Sequence, residues 1–161
     1  MSICLAVAFL CSCGSPKLTW EGINKMVDEG AYRADIDEAV KTIGPETHPA
    51  SQTVLKFFGA IIKNNLDEAW QYVEKNSPFA QARKGLEGFK KLHDESSKIF
   101  DYKSCTIRSI DIGKLAGGVR MVKVYYQFTY HDKAKKREAV SEGAYNMSNL
   151  TGEWMIFSED K

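Results

Sequence analysis

VRMVKVYYQFTYH, residues 119–131, carries the clearest strand pattern in the chain. Val122, Val124, Tyr126, Phe128 and Tyr130 fall on one face, and Lys123, Tyr125, Gln127, Thr129 and His131 on the other. A period of two with one apolar face is that of a half-buried strand. That face needs something to bury against. SQTVLKFFGAII, residues 51–62, supplies it: Val54, Leu55, Phe57, Phe58, Ile61 and Ile62 make a wide apolar stripe at helical spacing. Helical patterns fill the chain up to about residue 98, and period-two patterns fill the rest. That order predicts an α+β fold, with N-terminal helices packed on a strongly curved antiparallel sheet. The helix of residues 51–62 closes the concave side.

The remaining elements follow from spacing and punctuation. In residues 20–43 the apolar positions Trp20, Ile23, Met26, Val27, Ile36, Ala39, Val40 and Ile43 predict one or two short helices interrupted at Gly30. Gly44-Pro45 and His48-Pro49 break the chain, and Ser51 is expected to cap the next helix. Beyond Asn64-Asn65, a segment with Asp67 in its first turn presents Leu66, Ala69, Trp70 and Val73. After Asn76-Ser77-Pro78, a third helix over residues 79–98 is expected to turn Leu86, Phe89, Leu92 and Ile99 inward. Strands are predicted over residues 103–112, 119–131, 137–148 and 153–158. Ile107 and Ile110 fall on opposite faces of the first strand, which calls for an irregularity near Ser109. Trp154 and Ile156 share a face of the last.

Composition narrows the function. The 161 residues carry a net charge of +1, so no basic excess is available to hold nucleic acid through its phosphates, and no nucleic-acid partner is expected. No Cys/His spacing suits zinc, and neither a metal nor a cofactor is expected. Gly113 to Gly118 joins two strands and lacks the following helix of a phosphate loop.

The first residues, MSICLAVAFLCSCGSPK, hold a short apolar run from Ile3 to Leu10, then Leu10-Cys11-Ser12-Cys13 and a polar, turn-prone segment. The run is too short to span a bilayer and suits the apolar region of a secretory signal. The tetrapeptide resembles the lipobox of bacterial lipoproteins. That resemblance implies cleavage after Ser12, a lipid on Cys13, a membrane partner through that lipid, and a place in the cell envelope. Gly14 is not an inner-membrane retention Asp, which favours the outer membrane in a host with two. Cys4 and Cys11 leave with the signal, so Cys105 remains alone, without a disulfide, as a small buried hydrophobe.

The order of elements carries a second resemblance. TVLKFFGAIIKNNLDEAWQYV (53–73), GLEGFKKLHDE (85–95) and YQFTY…KKREAVSEGAYNMSNLTGEWMI (126–156) resemble the cystatin-like α+β roll of the nuclear transport factor 2-like superfamily, and more narrowly its small bacterial lipoproteins of unknown function. The resulting division is a signal peptide (1–12), a lipidated tether (13–19), a short helical extension (20–50) and the cystatin-like domain (51–161). The resemblance implies a cone-shaped pocket between sheet and helices, frequent homodimers and no shared chemistry. Its expected lining is Phe57, Phe58, Ile61, Val124, Tyr126, Phe128, Tyr130 and Trp154. A small apolar ligand or a second copy of the chain is the partner such a domain admits.

No catalytic residue is assigned. Enzymes of the superfamily place Asp, His or Tyr in the pocket, whereas the inward strand here is apolar with two tyrosine hydroxyls. His48, His93 and His131 read as solvated, and His131 and Asp132 point to opposite faces as strand neighbours. Asp111 reaches the pocket mouth only if a bulge turns it inward. The cluster Lys133, Lys135, Lys136 and Arg137 reads as a soluble hairpin tip, and the sequons at Asn146 and Asn149 as coincidental in a bacterial chain. The sequence therefore points to a membrane-anchored binding or interaction domain for an apolar ligand or envelope partner. An isomerase- or dehydratase-like enzyme in the same pocket is the alternative. In a bacterial host, Cys13→Ala should abolish incorporation of labelled palmitate and release the protein from the membrane fraction; label retained by the variant would contradict the lipid assignment.

Overall fold

A cap or a proline starts most of the helices. A computed structural model describes residues 17–160; the expected signal peptide and Cys13 lie outside the described residues. α1 (Trp20–Glu29) begins at Thr19, whose hydroxyl accepts from Gly22 N at 3.1 Å. It ends at Gly30, left-handed at φ 78°, with Ala31 N donating back to Met26 O at 2.9 Å. α2 (Arg33–Ile43), a short 3₁₀ turn (Pro45–Thr47) and α3 (Pro49–Ile62) follow. α4 (Leu66–Gln71) is capped by Asn65, and α5 (Pro78–Ala82) by Ser77 ahead of a proline at its first position. α6 (Gly85–Ser97) completes the helical half.

The other half is an antiparallel meander of β1 (Phe100–Ile112), β2 (Met121–Asp132), β3 (Arg137–Ser148) and β4 (Met155–Asp160), in that spatial order. Register shifts between Tyr102 and Ser104 and between Ile107 and Ser109 interrupt β1. The second is the irregularity expected from Ile107 and Ile110. Such bulges bend a strand and increase its twist, so β1 can follow α3 across the inner face. The chain leaving α4 also joins the sheet: Ile156 N donates to Tyr72 O at 2.8 Å and Glu74 N to Ile156 O at 3.0 Å.

One core runs through all of this. Phe57, Val54 and Ala50 from α3 meet Val122, Val124, Met147 and Ile156 from the sheet, all essentially inaccessible. Ile23 and Val27 from α1 and Ile36 and Val40 from α2 belong to the same cluster. Arg120, itself buried, fastens α1 to the sheet. Its guanidinium donates to Asp28 Oδ2 and to Gly113 O, both at 2.6 Å, and Asp28 Oδ1 accepts from Leu115 N at 3.0 Å. The Arg120 hydrogen bond holds the Asp28 carboxyl below its ordinary range.

Several local expectations need correction. α3 starts at Pro49, so the cap is His48, whose Nδ1 accepts from Ala50 N at 3.0 Å; Ser51 is a buried first-turn residue. His48 is not a solvated loop residue. It lies between the rings of Trp20 and Trp154, at 4.8 and 5.3 Å, and is buried. The single helix expected over residues 79–98 is two, broken where Lys84 and Gly85 take φ of 57° and 74°. The break brings α6 against the preceding turn so closely that a Cβ at Gly88 would stand 2.0 Å from the Arg83 carbonyl oxygen. Phe89 is buried, but Leu92 and Ile99 are 44% and 48% exposed. β1 begins three residues early, and β4 is shifted toward the C-terminus, leaving Trp154 ahead of it.

Burial, with the Arg120 charge second, pulls the His48 imidazole from 6.5 down to about 4. The unfolded chain therefore takes up this proton first as pH falls. Stability is complete above the free value and declines toward the folded one, by about 3 kcal/mol in all from this group. His48→Asn keeps a capping acceptor and removes the titration. Urea midpoints of the variant should fall less steeply than those of the native chain as pH drops from 6.5 to about 4; equal slopes would contradict the assignment.

Candidate functional site

The helices do not fill the whole concave face. Between α3, α6 and the inward side of the sheet a cavity of about 330 Å³ remains. α3 contributes Phe57, Phe58 and Ile61; β2 and β3 contribute Tyr126, Phe128 and Tyr145; α6 contributes Phe89, Leu92, His93 and Ser96. Its wall is largely aromatic. Phe58 lies 4.8 Å from Tyr126, 5.8 Å from Phe128 and 6.0 Å from Tyr145 between ring centres. Glycine makes one side of the wall flat. Tyr126 pairs with Gly143 across the sheet, and a Cβ at Gly143 would stand 2.6 Å from the Tyr126 hydroxyl oxygen and 2.8 Å from Cζ. Only a residue without Cβ lets the phenol lie across β3.

Of the eight expected lining residues, Phe57, Phe58, Ile61, Tyr126 and Phe128 meet at this cavity. Val124 does not reach it; it is sealed in the core at the row where Tyr145, its partner in the register, makes the wall. Tyr130 lines a second hollow of about 210 Å³ toward the β2–β3 hairpin. Trp154 is taken up by His48. Asp111 does not enter: Arg33 holds it on the far side at 2.5 Å. His131 stays apart from the cavity, and Asp132 is occupied in the hairpin, accepting from Ala134 N and Lys135 N at 3.1 and 3.0 Å.

Besides the Tyr102 and Tyr145 hydroxyls, four polar side chains in the wall were not anticipated. Arg83, in the break between α5 and α6, donates through Nη2 to Glu159 Oε2 of β4 at 2.6 Å, with its guanidinium 5.0 Å from the Phe79 ring centre. His93 lines the cavity with a side chain only 10% exposed, its ring 6.1 Å from that of Tyr102. Its Nδ1 is buried without a hydrogen-bond partner. Ser96 turns its hydroxyl onto Leu92 O and His93 O, at 2.8 and 3.1 Å. The helical spacing Phe89, Leu92, His93, Ser96 carried this face in the sequence. Likewise period two from Tyr145 through Met147 on β3 marks those residues as inward. Arg83 and Glu159 had no such signal, because one depends on an unforeseen helix break and the other on the shifted end of β4.

The chemistry this wall can perform is narrow. Burial pushes the Tyr126 phenol up to about 12 and raises Tyr145 well above its ordinary value. Both stay neutral and serve as hydrogen-bonding groups, not as bases. The nearest ionic partner of His93 Nδ1 is Asp94 Oδ1, at 3.9 Å, beyond hydrogen bonding, so the imidazole lacks an orienting acceptor. Cys105, part-buried beside its strand partner Phe128 on the inward face of the sheet, has its thiol pushed up by burial to about 12, leaving no thiolate. No group of His, Cys, Asp and Glu suited to a metal ion occurs among the described residues, and no described helix is long and apolar enough to cross a membrane.

The fit of Tyr126 over Gly143 can be tested directly. Gly143→Ala should cost about 1–3 kcal/mol, an overpacking penalty. Tyr126→Phe removes the nearest clashing atom, so the double variant should lose less than the sum of the singles. Strict additivity in urea unfolding would contradict the contact.

No protein-family model matches the chain, and no curated protein matches it. Solved structures do. A Xanthomonas campestris protein named for the association domain of calcium/calmodulin-dependent protein kinase II aligns at 15% identity with a TM-score of 0.50, over 71% of this chain and 87% of that one. An NTF-2-like protein of unknown function from Shewanella oneidensis MR-1 aligns at 14% identity and a TM-score of 0.43, over 67% and 91%. A ketosteroid isomerase-like protein from Erwinia carotovora atroseptica SCRI1043 aligns at 13% and 0.43, over 72% and 97%. Likeness at such identities concerns the fold alone. The chain is an α+β roll of helices on a four-stranded antiparallel sheet, the arrangement expected from the nuclear transport factor 2-like resemblance.

Proposed function

We propose that this protein is a non-catalytic binding domain for a small amphipathic molecule, held in the cell envelope by a lipid on Cys13. The observation that carries the reading is the composition of the cavity wall. Aromatic faces surround about 330 Å³, and the polar groups among them are three phenols, two of them kept neutral by burial, a serine hydroxyl, an ion pair and an unoriented imidazole. A largely apolar concavity with a few convergent polar groups is the ordinary form of a small-molecule site. Residues 17–19 lead directly into α1, which Arg120 bolts to the sheet through Asp28. A lipid at Cys13 would therefore hold the domain close to the bilayer surface on a few residues of tether.

One observation favours the enzyme alternative: His93, expected in solvent, stands in the cavity wall beside Tyr102. A general base needs its proton acceptor aimed at the substrate and, in most constellations, a partner that orients it. His93 has no such partner among the described residues, and this weighs for binding over turnover.

Leu92 stands at the cavity's exposed lip. The neutral probe N-phenyl-1-naphthylamine should brighten on binding the native chain, and Leu92→Trp should weaken it about tenfold with an unchanged melting temperature, since filling the lip removes apolar contact area from the probe. A probe bound equally by both forms would place it elsewhere and contradict the site.

A further inference from the structure

We propose that the occupant is a carboxylic acid with an unbranched apolar chain, its carboxylate on Arg83 and its chain running toward the β2–β3 hairpin. This rests on the binding reading above and gives that ligand a head, a tail and a direction.

The head comes from Arg83. The guanidinium uses Nη2 on Glu159 at 2.6 Å and lies over Phe79, while Nε and Nη1 have no acceptor among the described residues. Arg83 is 31% exposed on its side chain and lines the cavity. A planar donor set with unused N–H groups beside an aromatic wall matches a carboxylate, which accepts two parallel hydrogen bonds. Glu159 holds the guanidinium in place and balances its unit charge, so a ligand carboxylate is recognised through the unused N–H donors and not through excess positive charge. The phenols of Tyr126 and Tyr145 line the same end and remain neutral, so they add donors without repelling it.

The direction comes from the register. Glu159 pairs with Tyr145, and Tyr145 with Val124, so the ion pair sits at the Val124 row of the sheet. Tyr126, Phe128 and Tyr130 follow on the inward face of the same strand. The row of Tyr130 is therefore about 20 Å along β2 from the ion pair, at about 3.3 Å per residue. The cavity and the second hollow share Ser96, Tyr102 and Phe128 in their walls. The second hollow continues past Phe100 and Tyr130 without a charged lining residue. Two hollows end to end, charged at one extremity and apolar at the other, have the form of a linear amphiphile.

The test is displacement of N-phenyl-1-naphthylamine from the full chain by dodecanoate and by dodecanol, below their aggregation concentrations. Dodecanoate should displace the probe at about tenfold lower concentration, the range of one charge-assisted pairing. Arg83→Gln should erase that preference while leaving dodecanol unchanged, which also reports that the variant is folded. Glu159→Gln should keep or sharpen it. Ser141→Phe, which intrudes on the second hollow, should weaken dodecanoate and spare octanoate. If the probe binds but yields equally to acid and alcohol, or if Arg83→Gln keeps the preference, the inference is overturned and the binding reading stands. If the probe does not bind at all, both fall.

Discussion

The structure depends on two adjacent phenylalanines. Phe57 and Phe58 project from α3 about 100° apart, yet both are buried. A helix can bury so wide an arc only if its partner surface wraps around it. Phe57 meets Tyr145 at 5.8 Å, Phe79 at 6.2 Å and Phe89 at 5.9 Å, so it joins the sheet to α5 and α6. Phe58 meets Tyr126 and Phe128 on the other side. The doublet therefore acts as a wedge. It holds α6 away from β2, and the space it leaves between them is the cavity. Loss of either ring would remove core area and let the walls approach, so fold and site are tied to the same contact.

On the proposed reading the cavity serves recognition more than reactivity. The phenols, the imidazole and the nearby thiol each lack a requirement for acting as base or nucleophile. The phenols are held neutral by burial, His93 lacks an acceptor to orient it, and the Cys105 thiol is far from ionising. Arg83 and Glu159 balance each other's charge, but the guanidinium keeps free donors because it has more N–H groups than one carboxylate oxygen can use. The fold allows many chemistries, and the side chains in this wall decide among them.

Periodicity made the strands and the apolar side of α3 legible in the sequence, because both are local properties of a pattern. The irregularity near Ser109 could be read for the same reason, since two isoleucines conflicted with a period of two. What could not be read depends on contacts between distant residues. His48 is buried because Trp20 and Trp154, more than a hundred residues apart in the chain, close on it. The break at Lys84 has no proline to announce it and reflects the tight approach of Gly88 to the Arg83 carbonyl. Arg83 reaches the cavity only through that break. The polar end of the site thus stayed hidden while its aromatic centre was foreseen.

The central claim is that the wedge leaves an unfilled apolar space beside Phe58. Xenon enters small apolar cavities and scatters strongly. Diffraction from xenon-pressurised crystals should therefore show a xenon peak among Phe58, Phe89 and Phe128, with Phe57 and Phe58 in the positions described. Density that shows α6 collapsed onto β2, with these side chains in contact and no xenon between them, would contradict it.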